Sequence, residues 1–119
     1  MNLSPLALIL VSVLCSSLAH VSLKLAAPRF VLAGAPLDVL LRLAGNGWLL
    51  AGVGLHATAL VLWTLGLRRA ELSYAYPFIA LGFVFVALLS WAVFDESLQP
   101  MRMAGIALIV CGVLVVARS

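Results

Sequence analysis

Long apolar runs, separated by short polar segments, dominate this sequence. The charged residues divide the chain into four such runs, each close to the roughly 20 helical residues needed to cross about 30 Å of hydrocarbon. The predicted spans are residues 3–24, 46–67, 72–94 and 100–117. No basic residue precedes the first run, so we expect a span and not a cleaved signal peptide. The pattern predicts an all-α membrane protein in which residues 1–119 form a single domain of four transmembrane helices.

Helix signals stand at the starts of the first two spans. Ser4, followed by Pro5, is typical of an N-cap and a first helical position, and Asn46 is the expected cap of the second span. The connection between these spans is the only long one and carries Asp38 and Arg42, four positions apart. Because this spacing places both side chains on one helical face, the connection predicts either a short interfacial turn or an early start of the second span.

Composition also indicates a membrane setting. Apolar residues make up 66% of the chain and charged residues 9%, and the mean hydropathy is +1.25, whereas soluble domains average about 25% charged residues. The seven Lys and Arg residues are scattered along the chain, which argues against a nucleic-acid partner. Cys15 and Cys111 lie within apolar runs, where cysteine is a common packing residue, so no disulfide is implied.

The basic residues are balanced between the two sides of the predicted membrane. Three share a side with the N-terminus, the second loop and the C-terminus, and four lie opposite. The first group is Arg68, Arg69 and Arg118, and the second is Lys24, Arg29, Arg42 and Arg102. Because an excess of Lys and Arg normally sets orientation, this balance predicts insertion in both orientations or dependence on a partner, unless one arginine near a span end dominates.

Acidic residues are missing from all four spans. They lie at span ends or in loops, as Asp38, Glu71, Asp95 and Glu96. A proton-driven exporter of drug cations needs a buried carboxylate that can bind either ion, and this chain has none in its spans. His20 and His56 have no acidic neighbours in the sequence and match neither a metal site nor a catalytic triad. We therefore expect no enzymatic activity, no bound metal and no cofactor.

A polar stripe runs along the first span. Its members Ser12, Ser16, His20 and Lys24 follow at steps of four and share one helical face. The serines can also be explained as helix–helix contacts, and Lys24 as a boundary lysine that reaches water. The functional alternative is that Ser16, His20 and Lys24 contact an anionic lipid headgroup, with the ammonium acting as a point charge.

The third span opens with the sequence SYAYP at residues 73–77. Pro77 removes a helical hydrogen bond, so we expect a kink there and name Pro77 as a candidate gate. Tyr74 is expected to be an interfacial anchor, whereas Tyr76, on a different face, is expected to look inward and contact substrate.

The fourth span carries Gly105 and Gly112, which are seven residues apart. Together with neighbouring small residues they form a smooth face that suits close contact with another helix. This face predicts a dimer interface, with packing inside the chain as the alternative.

Several stretches resemble the small-multidrug-resistance branch of the drug/metabolite transporter superfamily, whose members are EamA-like. They are SLAHVSLK in the first span, AYPFIALGFVFVALLSWAVFDESL across the third and MAGIALIVCGVLVVA in the fourth. Drug-exporting members carry a glutamate in the first span and a tryptophan in the third, where this chain has Ser16 and Ile79. The chain is more similar to the paired subunits of aminoarabinose-phosphoundecaprenol flippases, which carry Gln-x-x-x-Lys and Ala-Tyr-Pro. Here these patterns read His20-x-x-x-Lys24 and Ala75-Tyr76-Pro77.

The resemblance implies a carrier in the bacterial inner membrane that moves a polyprenyl-phosphate-linked sugar from the cytoplasmic to the outer leaflet. Four helices are too few to enclose a headgroup, so we expect a dimer with eight helices in total. The dimer is expected to be either a homodimer, which includes an antiparallel one, or a heterodimer with a paralogue. Two other functions stay open. An exporter of small organic cations or metabolites predicts an acidic residue at the site. A non-transporting membrane subunit of an enzyme complex predicts neither a polar stripe nor a kinked helix.

Overall fold

The computed structural model describes residues 4–119, which form helices and no strand. Six α-helices follow in order within these residues: α1 (Pro5–Ala26), α2 (Pro36–Ala44), α3 (Gly47–Leu67), α4 (Leu72–Ala75), α5 (Leu81–Phe94) and α6 (Pro100–Ala117). Four helical stretches are long and apolar enough to cross a membrane: Pro5–Arg29, Gly47–Leu67, Leu72–Phe94 and Pro100–Ala117. The predicted all-α fold with four candidate spans is confirmed, while residue 3, the predicted start of the first span, lies outside the described residues.

Both predicted N-caps are present. The Ser4 hydroxyl accepts a hydrogen bond from the backbone N–H of Ala7 at 3.2 Å. The Asn46 side chain accepts one from the N–H of Leu49 at 3.3 Å. It also donates from Nδ2 to the carbonyl of Ala26 at 3.1 Å, and the residue is only 2% exposed. Asn46 therefore starts α3 and also ties it to the end of α1.

The first helix extends further than the predicted span. It continues past Lys24 to Ala26, and a 3-10 turn carries the chain on to Arg29. A lysine marks the end of an apolar run, but it is a good helix former and does not stop a helix. Pro28, in the 3-10 turn, prevents the α-helix from continuing.

The connection after α1 contains the separate helix α2, which is longer than the predicted interfacial turn and is not an early start of the second span. Gly45 and Asn46 separate it from α3. The Arg42 guanidinium donates to the backbone carbonyls of Asp38, at 3.4 Å, and Ala33, instead of pairing with the Asp38 carboxylate. No residue of α2 is buried, as expected of a helix that lies at a surface.

The closest helix contact in the fold joins α1 and α3 along a row of small residues. The buried members of α3 are Gly52, Ala59 and Gly66, each seven residues from the next. A Cβ added at Gly52 would lie 2.7 Å from Cδ2 of Leu23, and one added at Gly66 would lie 2.9 Å from Cγ1 of Ile9. Side chains of α1 occupy the space that a Cβ would need at these two positions, so glycine there lets the helices pack closely, as in other membrane helix pairs. We call this contact the α1–α3 seam.

Serines on α1 supply polar contacts at and near this seam. The buried Ser12 hydroxyl donates to the carbonyl of Ala59 on α3 at 2.6 Å. Ser17 is also buried, but it donates to the carbonyl of Val13 in its own helix at 2.8 Å. Helix–helix contact is therefore the observed role of Ser12, whereas the hydroxyl of Ser17, which lies outside the stripe, bonds within its own helix.

The third span is broken near its start, as Pro77 predicts. Helix α4 ends at Ala75, Tyr76–Ala80 form a 3-10 helix, and α5 begins at Leu81. Because proline lacks the N–H of an α-helical hydrogen bond and its ring crowds the preceding turn, the tighter 3-10 segment replaces the α-helix here.

Helices α5 and α6 differ in how far they are buried. A small core cluster of Ile9, Ala75, Phe78 and Val113 joins α1 to the start of the third span and to α6. Within α5 no residue is buried, and within α6 only Val113 is. Most residues of α5 are half-buried and most residues of α6 are exposed, so α6 and the exposed side chains of α5, such as Phe83 and Trp91, are left for lipid or for another protein.

Candidate substrate groove

A groove of about 570 Å³ lies between α1, α3 and the third span. Its polar side chains are Ser12, Ser16, Ser17, His20 and His56. Its apolar wall includes Leu60, Trp63, Ile79, Phe83 and Val86. Apolar walls with a few convergent polar groups are typical of small-molecule sites, so this groove is the candidate substrate site.

Two histidines face each other in the groove. The ring centroids of His20 and His56 are 4.8 Å apart, and the rings meet edge to face at 84°. The predicted site included His20 but not His56, which stands alone in an apolar span without any spacing signal. Small residues recur every seven positions along α3, at Gly52, Ala59 and Gly66. This repeat is the sequence signal that could have identified the face of α3 that packs on α1, and so the proximity of His56 to His20. Within residues 4–119 no group of three potential metal ligands forms.

The two positions that distinguish drug exporters both line this groove. They are Ser16 on α1 and Ile79 in the 3-10 segment of the third span. Where the exporters carry a carboxylate and an indole, this chain offers a hydroxyl and a branched alkyl group. The groove therefore lacks the charge that would attract an organic cation.

The predicted site residue Lys24 lies one turn beyond His20, outside the residues that line the groove. Its ammonium forms an ion pair with the Glu96 carboxylate and lies 4.5 Å from the ring centroid of Phe94. The spans themselves carry no acidic residue, as the sequence shows, but an acid from the loop after the third span neutralises this ammonium. Glu96 lies after the third span in the sequence, and only the fold brings it to the end of α1.

The two tyrosines of the third span lie in different surroundings. Tyr76 is 62% exposed and does not line the groove of this single chain, and its contact with substrate stays a prediction. Tyr74, the expected interfacial anchor, is half-buried and packs on Phe78, with ring centroids 5.4 Å apart. Because the 3-10 segment begins at Tyr76, the regular α-helical rotation that set the predicted faces does not continue there.

The predicted dimer residues have open surroundings. Gly105 is half-buried and Gly112 is exposed, and a Cβ added at either would meet no atom within 4 Å. Close packing inside the chain therefore does not explain these glycines.

Comparisons with known proteins agree that the chain resembles membrane transporter subunits. The sequence pattern of the EamA-like transporter family matches residues 2–118. The probable 4-amino-4-deoxy-L-arabinose-phosphoundecaprenol flippase subunit ArnE of Pseudomonas aeruginosa (strain UCBPP-PA14) is 38% identical over 114 residues, which cover 95% of this chain and 96% of that protein. Its counterpart in Pseudomonas fluorescens (strain Pf-5) is 36% identical over 85 residues, 71% of this chain and 74% of that protein. No solved structure matches the chain.

These relatives confirm the resemblance seen in the sequence. They are transporter subunits and not enzymes, which also confirms the expectation that the chain is not an enzyme. The four apolar helices and the match over nearly the whole length together establish that the chain is a multi-pass membrane protein of the EamA-like transporter family.

Proposed function

We propose that this chain is a subunit of a flippase that moves a polyprenyl-phosphate-linked sugar from the cytoplasmic to the outer leaflet of the bacterial inner membrane. The observation that carries the proposal is a groove lined by hydroxyl and imidazole groups, without a carboxylate, with the ammonium of Lys24 one turn beyond it. The relatives named as flippase subunits support the same substrate class.

The groove suits the sugar part of such a lipid. Ser16, His20 and His56 offer hydrogen-bond donors and acceptors that sugar hydroxyl groups can use. Trp63 and Phe83 add aromatic surface on the apolar side, where the less polar face of a sugar ring can rest. The polyprenyl tail would stay in the surrounding lipid while the headgroup crosses.

Lys24 suits the phosphate. An ammonium binds a phosphate as a compact point charge with three donors. With a side chain that is 52% exposed, Lys24 can reach a phosphate from the membrane boundary while a linked sugar occupies the groove one turn away. His20, between Lys24 and Ser16 on the same face, would contact the link between phosphate and sugar.

An exporter of small organic cations fits these residues less well. Such a cation would meet no acidic group among the residues that line the groove. The polar groove and the broken third span likewise speak against a subunit that only docks to an enzyme.

A dimer is part of the proposal. Most of α6 lies open, and Gly105 and Gly112 provide a place where a second helix can approach closely. The second subunit would be a copy of this chain, including an antiparallel copy, or a paralogue. Pro77, at the break in the third span, is where we place the movement that opens the groove to either side.

The proposed role of Lys24 is tested by flipping of a lipid-linked sugar in proteoliposomes. Lys24→Met keeps the length of the side chain and removes its charge, so we expect flipping to be lost. Lys24→Arg should keep part of it, because a guanidinium preserves the charge but changes the geometry. Arg29→Met removes another cation near the same end of α1, and this variant should flip the lipid-linked sugar at the wild-type rate. A Lys24→Met variant that inserts normally and flips at the wild-type rate would contradict the proposal.

A further inference from the structure

The ammonium of Lys24 already has an anionic partner in this structure. Its ammonium pairs with the carboxylate of Glu96 and lies 4.5 Å from the ring centroid of Phe94. The two charged side chains are 52% and 38% exposed, so the pair is open to water and to a competing anion. A phosphate that binds Lys24 must therefore displace Glu96 or share the ammonium with it.

The position of Glu96 is set by the way α5 ends. The helix stops at Phe94, and Asp95 adopts a left-handed conformation with φ 55° and ψ 34°. This conformation is typical of the residue that ends a helix, and aspartate is one of the few non-glycine residues that accept it. The backbone N–H of Glu96 donates to the carbonyl of Ser90 at 3.3 Å, so a defined turn holds the carboxylate towards α1.

The ion pair also connects two elements that border the groove. Lys24 belongs to α1, which carries Ser16 and His20, and Glu96 follows α5, which contributes Phe83. While the pair is intact, it joins the end of α1 to the turn after α5. Breaking it frees these two elements from each other at one membrane boundary.

We infer that Glu96 is a latch: it holds the Lys24 ammonium when the groove is empty, and the phosphate of the lipid-linked sugar displaces it. This inference rests on the proposed function. A phosphodiester and a carboxylate each carry one negative charge, so the exchange never leaves an uncompensated cation beside the hydrocarbon, which would be costly. The displaced carboxylate, which is already partly exposed, passes to water, and it recaptures Lys24 when the substrate leaves.

Two measurable consequences follow for Glu96→Gln, which removes the competitor but keeps the shape of the side chain. The apparent Kd for the lipid-linked sugar should fall about two- to fivefold, the range expected when a partly exposed ion pair no longer competes. The maximal flipping rate should also fall, because nothing then returns to Lys24 and assists release of the phosphate. Both differences from the wild type should shrink as salt screens the charges.

The experiment uses the full chain in phosphatidylcholine nanodiscs, with lipid retention measured by native mass spectrometry. The probes are undecaprenyl-phosphate-linked glucose, phosphatidylglycerol and inorganic phosphate. Asp95→Asn is the matched control, because it removes the neighbouring charge and asparagine accepts the left-handed conformation. We expect Glu96→Gln to retain more of the lipid-linked glucose than wild type or Asp95→Asn, with a smaller gain for the other two probes, which offer Lys24 a phosphate but the groove no sugar.

The outcomes separate the latch from the proposed function. If Lys24→Met loses retention of the lipid-linked glucose but Glu96→Gln retains it like the wild type, the latch is wrong and the role of Lys24 stands. If Lys24→Met retains it like the wild type, the proposed function fails. An equal gain for phosphatidylglycerol would overturn the assignment to a lipid-linked sugar. Should Glu96→Gln not fold, Glu96→Asp, which weakens the pair by shortening the side chain, should show a smaller gain of the same sign.

Discussion

At the scale of single residues, the His20–His56 contact gives the groove its polar centre. A neutral imidazole has one donor and one acceptor, so the two rings, which meet edge to face, bring both kinds of group to the groove. The polar stripe of the first span predicted that His20 belongs to a site, while His56 could be found only through its partner helix. Resemblance to the flippase subunits adds that a glutamine occupies the position of His20 in that family.

His20→Gln should therefore be tolerated. An amide keeps one donor and one acceptor direction near the sugar, so we expect flipping within about twofold of the wild type. His20→Leu, which fills similar space without polar atoms, should lower flipping clearly more than His20→Gln does. The measurement is the proteoliposome assay at fixed pH. Loss of flipping in His20→Gln would instead show that the imidazole itself is required.

At the scale of helices, the α1–α3 seam and the break at Pro77 shape the groove. The seam sets the distance between the two helices that carry Ser16, His20 and His56. The break places Ile79 in the wall and leaves Tyr76 outside. The break was predictable because Pro77 lacks a backbone N–H. The directions of Tyr74 and Tyr76 were not predictable, because they depend on where the 3-10 segment begins and ends.

The seam predicts a contrast between two glycines of α3. Gly52→Leu should destabilise the chain by about 1–3 kcal/mol, the usual cost of overpacking. The reason is that even a Cβ there would lie 2.7 Å from Leu23 and 3.3 Å from the carbonyl oxygen of Ala19. Gly54→Leu is the control, since a Cβ at Gly54 meets no atom within 4 Å. Thermal unfolding in detergent measures the difference, and equal melting temperatures would show that the seam is looser than described.

At the scale of the whole molecule, the chain leaves most residues of its last span, α6, exposed. The α1–α3 seam holds one pair of helices together, α5 packs partly against α1, and α6 joins the rest through a small cluster around Val113. In a membrane such surfaces are covered by lipid at little cost, so openness alone does not require a partner. The unfilled space beside Gly105 and Gly112 is the feature that favours packing of a helix from a second subunit against α6.

Gly112→Leu should weaken the proposed dimer. A large side chain would keep a second helix from approaching this face, so we expect less crosslinked product and a smaller mass in detergent. Ala107→Leu, an exposed position on another face of α6, is the control and should leave both measurements unchanged. If Gly112→Leu crosslinks and migrates like the wild type, this face is not the interface.

The sequence by itself determined the number of spans, the helix caps and the broken start of the third span. These follow from local chemistry: hydrocarbon has a fixed thickness, Ser4 and Asn46 satisfy free N–H groups, and Pro77 lacks one. Only the tertiary structure decided that Glu96 holds Lys24. The physical reason is that membrane helices are apolar on all sides, so periodicity does not reveal which face meets which helix. Contacts between distant residues depend instead on steric fit and single polar pairs, which become visible only when the helices are packed.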